Sequence, residues 1–271
     1  MFEPRKLLTR LAVAALLTLP VAAEAHRAWM LPSATVLSGD DPWVTVDAAV
    51  SNDLFYFEHF PLQLDNLVVL APDGTKAETA NQSRGRYRST FDLQLKQPGT
   101  YRLTVGGGGT LMASWMQDGQ RKRWRGSAAD FATAVPANAP ELRVVQGQRR
   151  VETFVTRGAP STGTFKPSGE GLELVPVTHP NDLVAGEAAT FRLLLDGQPA
   201  REIEVAVVPG GKRYRDGEEE VTVKTDAEGA FSITWPKAGM YWIEAEIRDN
   251  KASVPNATRS AGYAATLEVL P

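Results

Sequence analysis

Across most of this chain, apolar and polar residues alternate with a period of two, and turn-forming residues interrupt the alternation every few positions. Successive side chains of a strand point to opposite faces, so the pattern specifies half-buried antiparallel strands. The expected strands of a first series are Trp43–Val50, Leu67–Leu70, Tyr87–Leu95, Thr100–Val105, Leu111–Met116 and Arg150–Thr156. A second series runs Leu172–Val175, Thr190–Leu195, Glu202–Val208, Glu220–Thr225, Phe231–Trp235, Tyr241–Arg248 and Ala264–Leu270. Turns fall at Pro72-Asp73-Gly74, Pro98-Gly99, Gln117-Asp118-Gly119, Asp196-Gly197 and Glu228-Gly229, where the required residue types stand. Only Ser127–Val135 reads as a helix, with Ser127 placed to cap it and Pro136 to stop it. Many short strands with frequent turns favour β-sandwiches over an α/β architecture.

An internal echo divides the chain into two such units. Gln97-Pro98-Gly99-Thr100-Tyr101 leads into the alternating Arg102–Val105, and Lys237-Ala238-Gly239-Met240-Tyr241 leads into Trp242–Ala245. A Gly–x–Tyr entry to a strand recurs in immunoglobulin-like sandwiches, where the ring packs at an edge of the core. The segment Gly158–Gly171, rich in small residues and proline, is the expected linker. The expected organisation is therefore all-β: residues 26–160 and 161–271 form two immunoglobulin-like or transthyretin-like sandwich domains with one short helix.

Residues 1–25 read as a signal peptide. Arg5, Lys6 and Arg10 precede an apolar run from Leu11 to Ala23, and Ala23-Glu24-Ala25 supplies small residues at the two positions a signal peptidase reads. No later segment approaches the ~18 consecutive apolar residues of a membrane span, so a soluble periplasmic or secreted protein is expected. The chain has no cysteine, which excludes lipoprotein anchoring, disulfides and thiolate ligands. Its formal net charge of −3 gives no reason to expect nucleic acid as a partner.

Cleavage after Ala25 makes His26 the first residue of the mature protein, with a free amine and an imidazole on one residue. With a second histidine these form a histidine brace, a nitrogen site suited to Cu(II). Cleavage after Ala23 leaves His26 in third place, where amine, two backbone amides and imidazole form a square-planar site for Cu(II) or Ni(II). The alternative is that His26 is simply the first residue of a strand. The chain has only three histidines, so the candidate ligands are His26, His59 and His179. His59 lies in the aromatic stretch Asn52–Pro61, where Phe55, Phe57 and His59 share one face of an extended segment; such a shell would wall a ligand from water. A loop held by aromatic packing is the plainer reading. His179 precedes Pro180 and the turn-forming Asn181-Asp182, which fits either a surface connector or a ligand, alone or with Asp182, reaching across the domain boundary. Asp53 and Glu58 are weaker carboxylate candidates.

Other features lose their functional reading. Gly106–Gly109 is followed by neither Lys-Ser/Thr nor a helix start, so it is a connection and not a phosphate loop. Arg121-Lys122-Arg123-Trp124-Arg125 reads as a solvated hairpin arm, or as a docking site for an acidic partner. Asp216–Glu220 lacks the ligand spacing of a calcium loop. No hydrolase motif occurs.

The stretch Ala25-His26-Arg27-Ala28-Trp29-Met30-Leu31-Pro32 resembles the mature start of a bacterial periplasmic family catalogued as a domain of unknown function. Gly171–Pro176, Ala185-Gly186-Glu187 and Thr225–Gly229 extend the resemblance over nearly the whole mature chain. That family was formerly labelled a nickel-uptake periplasmic component, and some members are described as associated with TonB-dependent receptors. The resemblance implies an Ala-His mature start and two β-rich units, the second like small sandwiches attached to carboxypeptidases and outer-membrane receptors. It supplies no catalytic residues. The expected function is capture or delivery of a transition metal, Cu(II) or Ni(II), with a TonB-dependent receptor or metal transporter as possible partner. A copper-brace oxidase is an enzymatic variant. The alternative is a metal-free module that assists such a receptor or binds a glycan or peptide.

Overall fold

The structure is a computed structural model that describes residues 26–271. The signal peptide expected at residues 1–25 lies outside the described residues. The first half contains β1 (Arg27–Pro32), β2 (Val36–Leu37), β3 (Trp43–Ser51), β4 (Phe60–Pro61), β5 (Leu67–Leu70) and β6 (Thr79–Arg84). It continues with β7 (Ser89–Gln94), β8 (Gly99–Gly106), β9 (Thr110–Gln117), β10 (Gln120–Gly126), the helix α1 (Ala128–Ala134) and the long β11 (Arg143–Arg157). The second half contains β12 (Leu172–Pro176), β13 (Ala188–Leu195), β14 (Gln198–Pro199), β15 (Glu204–Pro209), β16 (Val221–Lys224), β17 (Ala230–Thr234), β18 (Gly239–Asp249) and β19 (Thr258–Val269).

Local chemistry places these elements much as the pattern requires. Asp118 and Gly119 both adopt positive φ (51° and 72°), which a tight turn matching strand twist needs, and they join β9 to β10. Ser127 caps α1 by accepting the Asp130 amide at 3.3 Å. The echoed Gly–x–Tyr entries do the same work twice. Tyr101 Oη accepts the Gln97 amide at 2.7 Å, and Tyr241 Oη donates to the Lys237 carbonyl at 2.8 Å. In both units a buried ring thus fastens the turn four residues upstream of it.

The fold is all-β, built from two sandwich cores and one short helix. The first core lies between the sheet β1-β3-β7-β6 and the strands β5, β8 and the end of β11, with Met30, Val46, Phe91, Leu93, Tyr101 and Val155 at its centre. The second lies between β12-β13-β14 with β17 and the strands β19, β18 and β15, around Phe191, Trp235, Ile243 and Tyr263. A smaller apolar cluster forms where α1 covers β9, through Leu111, Trp115 and Val135.

The two units share one sheet. β11 pairs in parallel with β19 from Val145↔Thr258 to Thr153↔Thr266, while its last residues pair with β8 of the first unit. Strand β1 is buried on both faces: Ala28 and Met30 enter the first core, and Trp29 packs with Val208, Trp242 and Ala264 of the second unit. The expected linker at 158–171 is not a loose tether. Ser161 and Thr100 exchange hydrogen bonds through their amides and hydroxyls (2.9 and 3.0 Å), and Phe165 is buried against Phe154. A boundary drawn at residue 160 therefore falls in chain that is fixed to both units, because hydrogen bonding and apolar burial both cross it.

Candidate metal centre

His26 and His59 reach the same spot from the two strands that flank β3. On one edge of β3, Arg27 stands opposite Ser51, so His26 falls beside Asn52. On the other edge, Phe60 stands opposite Val50, so His59 falls beside Ser51. The two rings close over the end of β3 with centroids 3.9 Å apart and planes tilted by 34°. His26 Nδ1 lies 2.7 Å from Asn52 Oδ1, an arrangement in which the ring nitrogen donates and the opposite nitrogen, Nε2, is left with its lone pair. The Phe60 ring sits 4.7 Å from His59 and edge-on to His26 at 6.0 Å.

The loop 52–59 that delivers His59 is shaped by its own polar groups and by the aromatic floor below it. Glu58 Oε1 accepts the amides of both Asn52 and Asp53 at 2.8 Å, closing the loop on itself. The extended segment expected here is absent. Phe55 instead takes a left-handed φ of 63°, which a bulky residue adopts only when packing holds it. That packing is Trp29, whose ring meets Phe55 at 5.5 Å and Phe57 at 5.6 Å. Gly210 makes room on the other side, since a Cβ there would stand 2.9 Å from the Phe55 ring. Trp29 is fully buried and donates Nε1–H to Ser51 Oγ at 2.8 Å, and Trp242 donates to the Ala28 carbonyl at 3.0 Å.

The aromatic wall expected around His59 is therefore built beneath the histidines and not around them. Phe55 and Phe57 turn inward, and both His26 and His59 are exposed. A cleft of about 610 Å³ begins at Phe60 and runs towards Gly106 and Arg149. Beside the pair, Arg27 makes a two-pronged bond to Glu218 (2.8 and 2.7 Å), and Lys212 Nζ reaches the same carboxylate at 2.8 Å. The Arg27 bond, aided by Lys212 and opposed by partial burial, lowers the Glu218 carboxyl to a pKa of about 2. These ion pairs tie the first strand to the loop after β15, so the end of β1 is anchored one residue beyond His26.

His179 does not join the pair. Its Nε2 lies 2.9 Å from Thr100 Oγ1 and 3.1 Å from the Ser161 carbonyl, and its Nδ1 accepts the Asn181 amide at 3.1 Å. Thr100 faces Thr156, whose amide bonds the Thr35 carbonyl beyond the far end of β1. Six residues of strand separate that end from His26, roughly 17–20 Å. Burial lowers the His179 pKa below the ordinary 6.5, against a smaller opposing effect from the Ser161 carbonyl and Asp182. This half-buried histidine is held inside the connection between the units and not on its surface. The carboxylate candidates are also engaged elsewhere: Glu58 closes its loop, and Asp53 meets Lys212 at 3.4 Å.

Among the described residues no group of three or more His, Cys, Asp or Glu side chains could hold a metal ion. The two imidazoles supply nitrogen donors only, which suits Cu(II) or Ni(II) over hard cations. A third donor would be the amine that His26 acquires if the chain is cut after Ala25. Sequence reasoning found both rings of the pair but missed Asn52, whose role depends on a cross-strand register that no local pattern displays. No helix among the described residues is long and apolar enough to cross a membrane.

Comparison with known proteins adds a family and little more. No curated protein sequence matches the chain. Among solved structures it is similar to the D0-D1 domain of intimin, with 15% identity over 89% of this chain and 97% of that one and a TM-score of 0.23. It is also similar to an ICAM-5 D1–D4 ectodomain fragment, with 10% identity over 90% of this chain and 51% of that one and a TM-score of 0.23. Likeness at that level carries no argument. Residues 23–249 match the family model described as Domain of unknown function (DUF4198), and the chain belongs to that family.

Proposed function

For this member of the DUF4198 family we propose a periplasmic transition-metal-binding protein, with Cu(II) before Ni(II), that uses the amine and ring of a mature N-terminal His26 together with His59. The observation that carries the reading is the convergence of two histidines 33 positions apart, 59 minus 26, to ring centroids 3.9 Å apart. An unpaired stack of two exposed imidazoles at a strand edge brings little stability, whereas a shared ion would hold both rings. His26 and His59 would be the ligands; the amine and ring of His26 can grip one ion only through Nδ1, so binding would exchange the Asn52 hydrogen bond at 2.7 Å for the ion. The bound ion would supply a charged nitrogen-ligated centre open to solvent, which fits capture and hand-over better than an enclosed oxidase site. A metal transporter or TonB-dependent receptor is the proposed recipient.

Calorimetric titration of the mature protein with Cu(II) and Ni(II) tests this. His26→Ala and His59→Ala should each weaken binding at least 100-fold, while His179→Ala should leave it within a few-fold. Acidification should weaken binding, because protons compete for the same nitrogens. Unchanged affinity in both His26→Ala and His59→Ala would sink the proposal and favour a metal-free module that binds a glycan, a peptide or a receptor.

A further inference from the structure

The far end of the shared sheet carries a second feature, independent of the histidine pair. β10 is an edge strand: seven registered pairs, from Gln120↔Gln117 to Gly126↔Leu111, join it to β9, and no strand among the described residues pairs with its other edge. One face of β10 and β9 is covered by α1, through Trp124 against Phe131 and through Trp115 and Val135. The opposite face is open. There the register lines up Arg123, Ser114 and Arg143 across three strands, and beside them Arg125, Met112 and Val145. These six residues line a groove of about 600 Å³, and Met112 is 45% exposed in it.

The charges on this face are unbalanced. The Arg121 side chain pairs with Glu141 at 2.7 Å, but the guanidinium groups of Arg123, Arg125 and Arg143 have no hydrogen-bonding or ion-pairing partner among the described residues. This occurs in a chain whose net charge is −3, so it reflects local clustering and not general basicity. Arg121, Arg123 and Arg125 stand at alternate positions of one strand, about 7 Å apart. That is also the spacing of same-face side chains on any strand laid alongside it, and directly opposed side chains come within ~5 Å.

We propose that β10 binds an extended acidic segment of another protein by strand addition. Main-chain bonds to the free edge would fix the segment. Asp or Glu at alternate positions would meet Arg123 and Arg125 in charge-assisted pairs. The strand edge favours a peptide over a glycan or a lipid surface, neither of which has a strand's run of backbone amides to match. The same arginines repel a second copy of β10, so the edge discriminates against self-pairing while accepting an acidic strand.

The test is calorimetry on the full mature chain. The probes are a seven-residue peptide with glutamate at alternate positions, an isomer with the glutamates contiguous, the first peptide N-methylated at alternate amides in each of the two possible sets, heparin, and vesicles containing phosphatidylglycerol. The alternating peptide should bind, and the double variant Arg123→Glu/Arg125→Glu should weaken it at least tenfold. Arg84→Glu, an exposed charge change on β6, should not. One N-methylated set should lose binding and the other keep it. Failure of the alternating peptide to bind, or indifference to both methylation sets, would overturn the proposal. Heparin, the vesicles or the contiguous isomer binding as tightly, with the same loss in the double variant, would overturn it equally, by showing a general anion site.

Discussion

At the scale of single residues, the three histidines are separated by what each nitrogen is doing. His26 engages Nδ1 with Asn52 while its exposed ring lies against that of His59, whereas both ring nitrogens of the half-buried His179 are occupied within the protein. The difference makes His179 a stability group, and its sign is determined. Its folded pKa is lowered by burial, so the unfolded chain takes up the proton first as pH falls. Stability contributed by the neutral ring is complete above the ordinary pKa of 6.5 and declines as pH drops below it. Urea midpoints measured at pH 7.5 and 5.5 should therefore fall more in the parent than in His179→Gln, which has no titrating ring. Equal falls would mean that the ring is not held neutral.

At the scale of elements, the loop 52–59 depends on the strand beneath it. Trp29 supports both Phe55 and Phe57, and removing a fully buried tryptophan costs roughly 3–5 kcal/mol. Trp29→Ala should lower the free energy of unfolding, measured by urea titration, by that amount and, under the metal proposal, weaken Cu(II) binding as well, because His59 rides on the loop. β1 shows why this support was not legible in the sequence. Alternation marks a strand with one wet face, and Arg27–Pro32 is buried on both sides, so Ala28-Trp29-Met30-Leu31 reads as an unpatterned apolar run. β6 was missed for the opposite reason, being polar and largely exposed throughout. The turns, the helix and the Gly–x–Tyr entries were legible because each is a local device with a residue-level cause. The connector at 158–171 shows the limit of that reasoning: its composition spelled a loose linker, but Ser161 and Phe165 are held by residues far away in sequence. Chymotrypsin should accordingly cut after Tyr214, which is 87% exposed, before it cuts after Phe165, and mass spectrometry of early fragments will show the order.

At the scale of the whole molecule, two sandwich cores are welded by nine β11–β19 pairs and by the Trp29–Trp242 cluster. Neither unit keeps its sheet complete without the other. Scanning calorimetry should show one transition with calorimetric and van't Hoff enthalpies in agreement, where independent domains would give two. The same weld fixes the start of β1, since Arg27 is clamped by Glu218 of the second unit one residue beyond His26. Under the metal proposal, a terminus at His26 fixed in this way would present an amine and an imidazole to one ion without a large ordering cost. The most direct test is electron paramagnetic resonance of the mature protein loaded with one equivalent of Cu(II), with and without ¹⁵N-histidine labelling. The account predicts nitrogen couplings from both His26 and His59, changed when a single alanine is added before His26 and reduced to one imidazole in His59→Ala. A spectrum unaltered by the added alanine and by His59→Ala would contradict it.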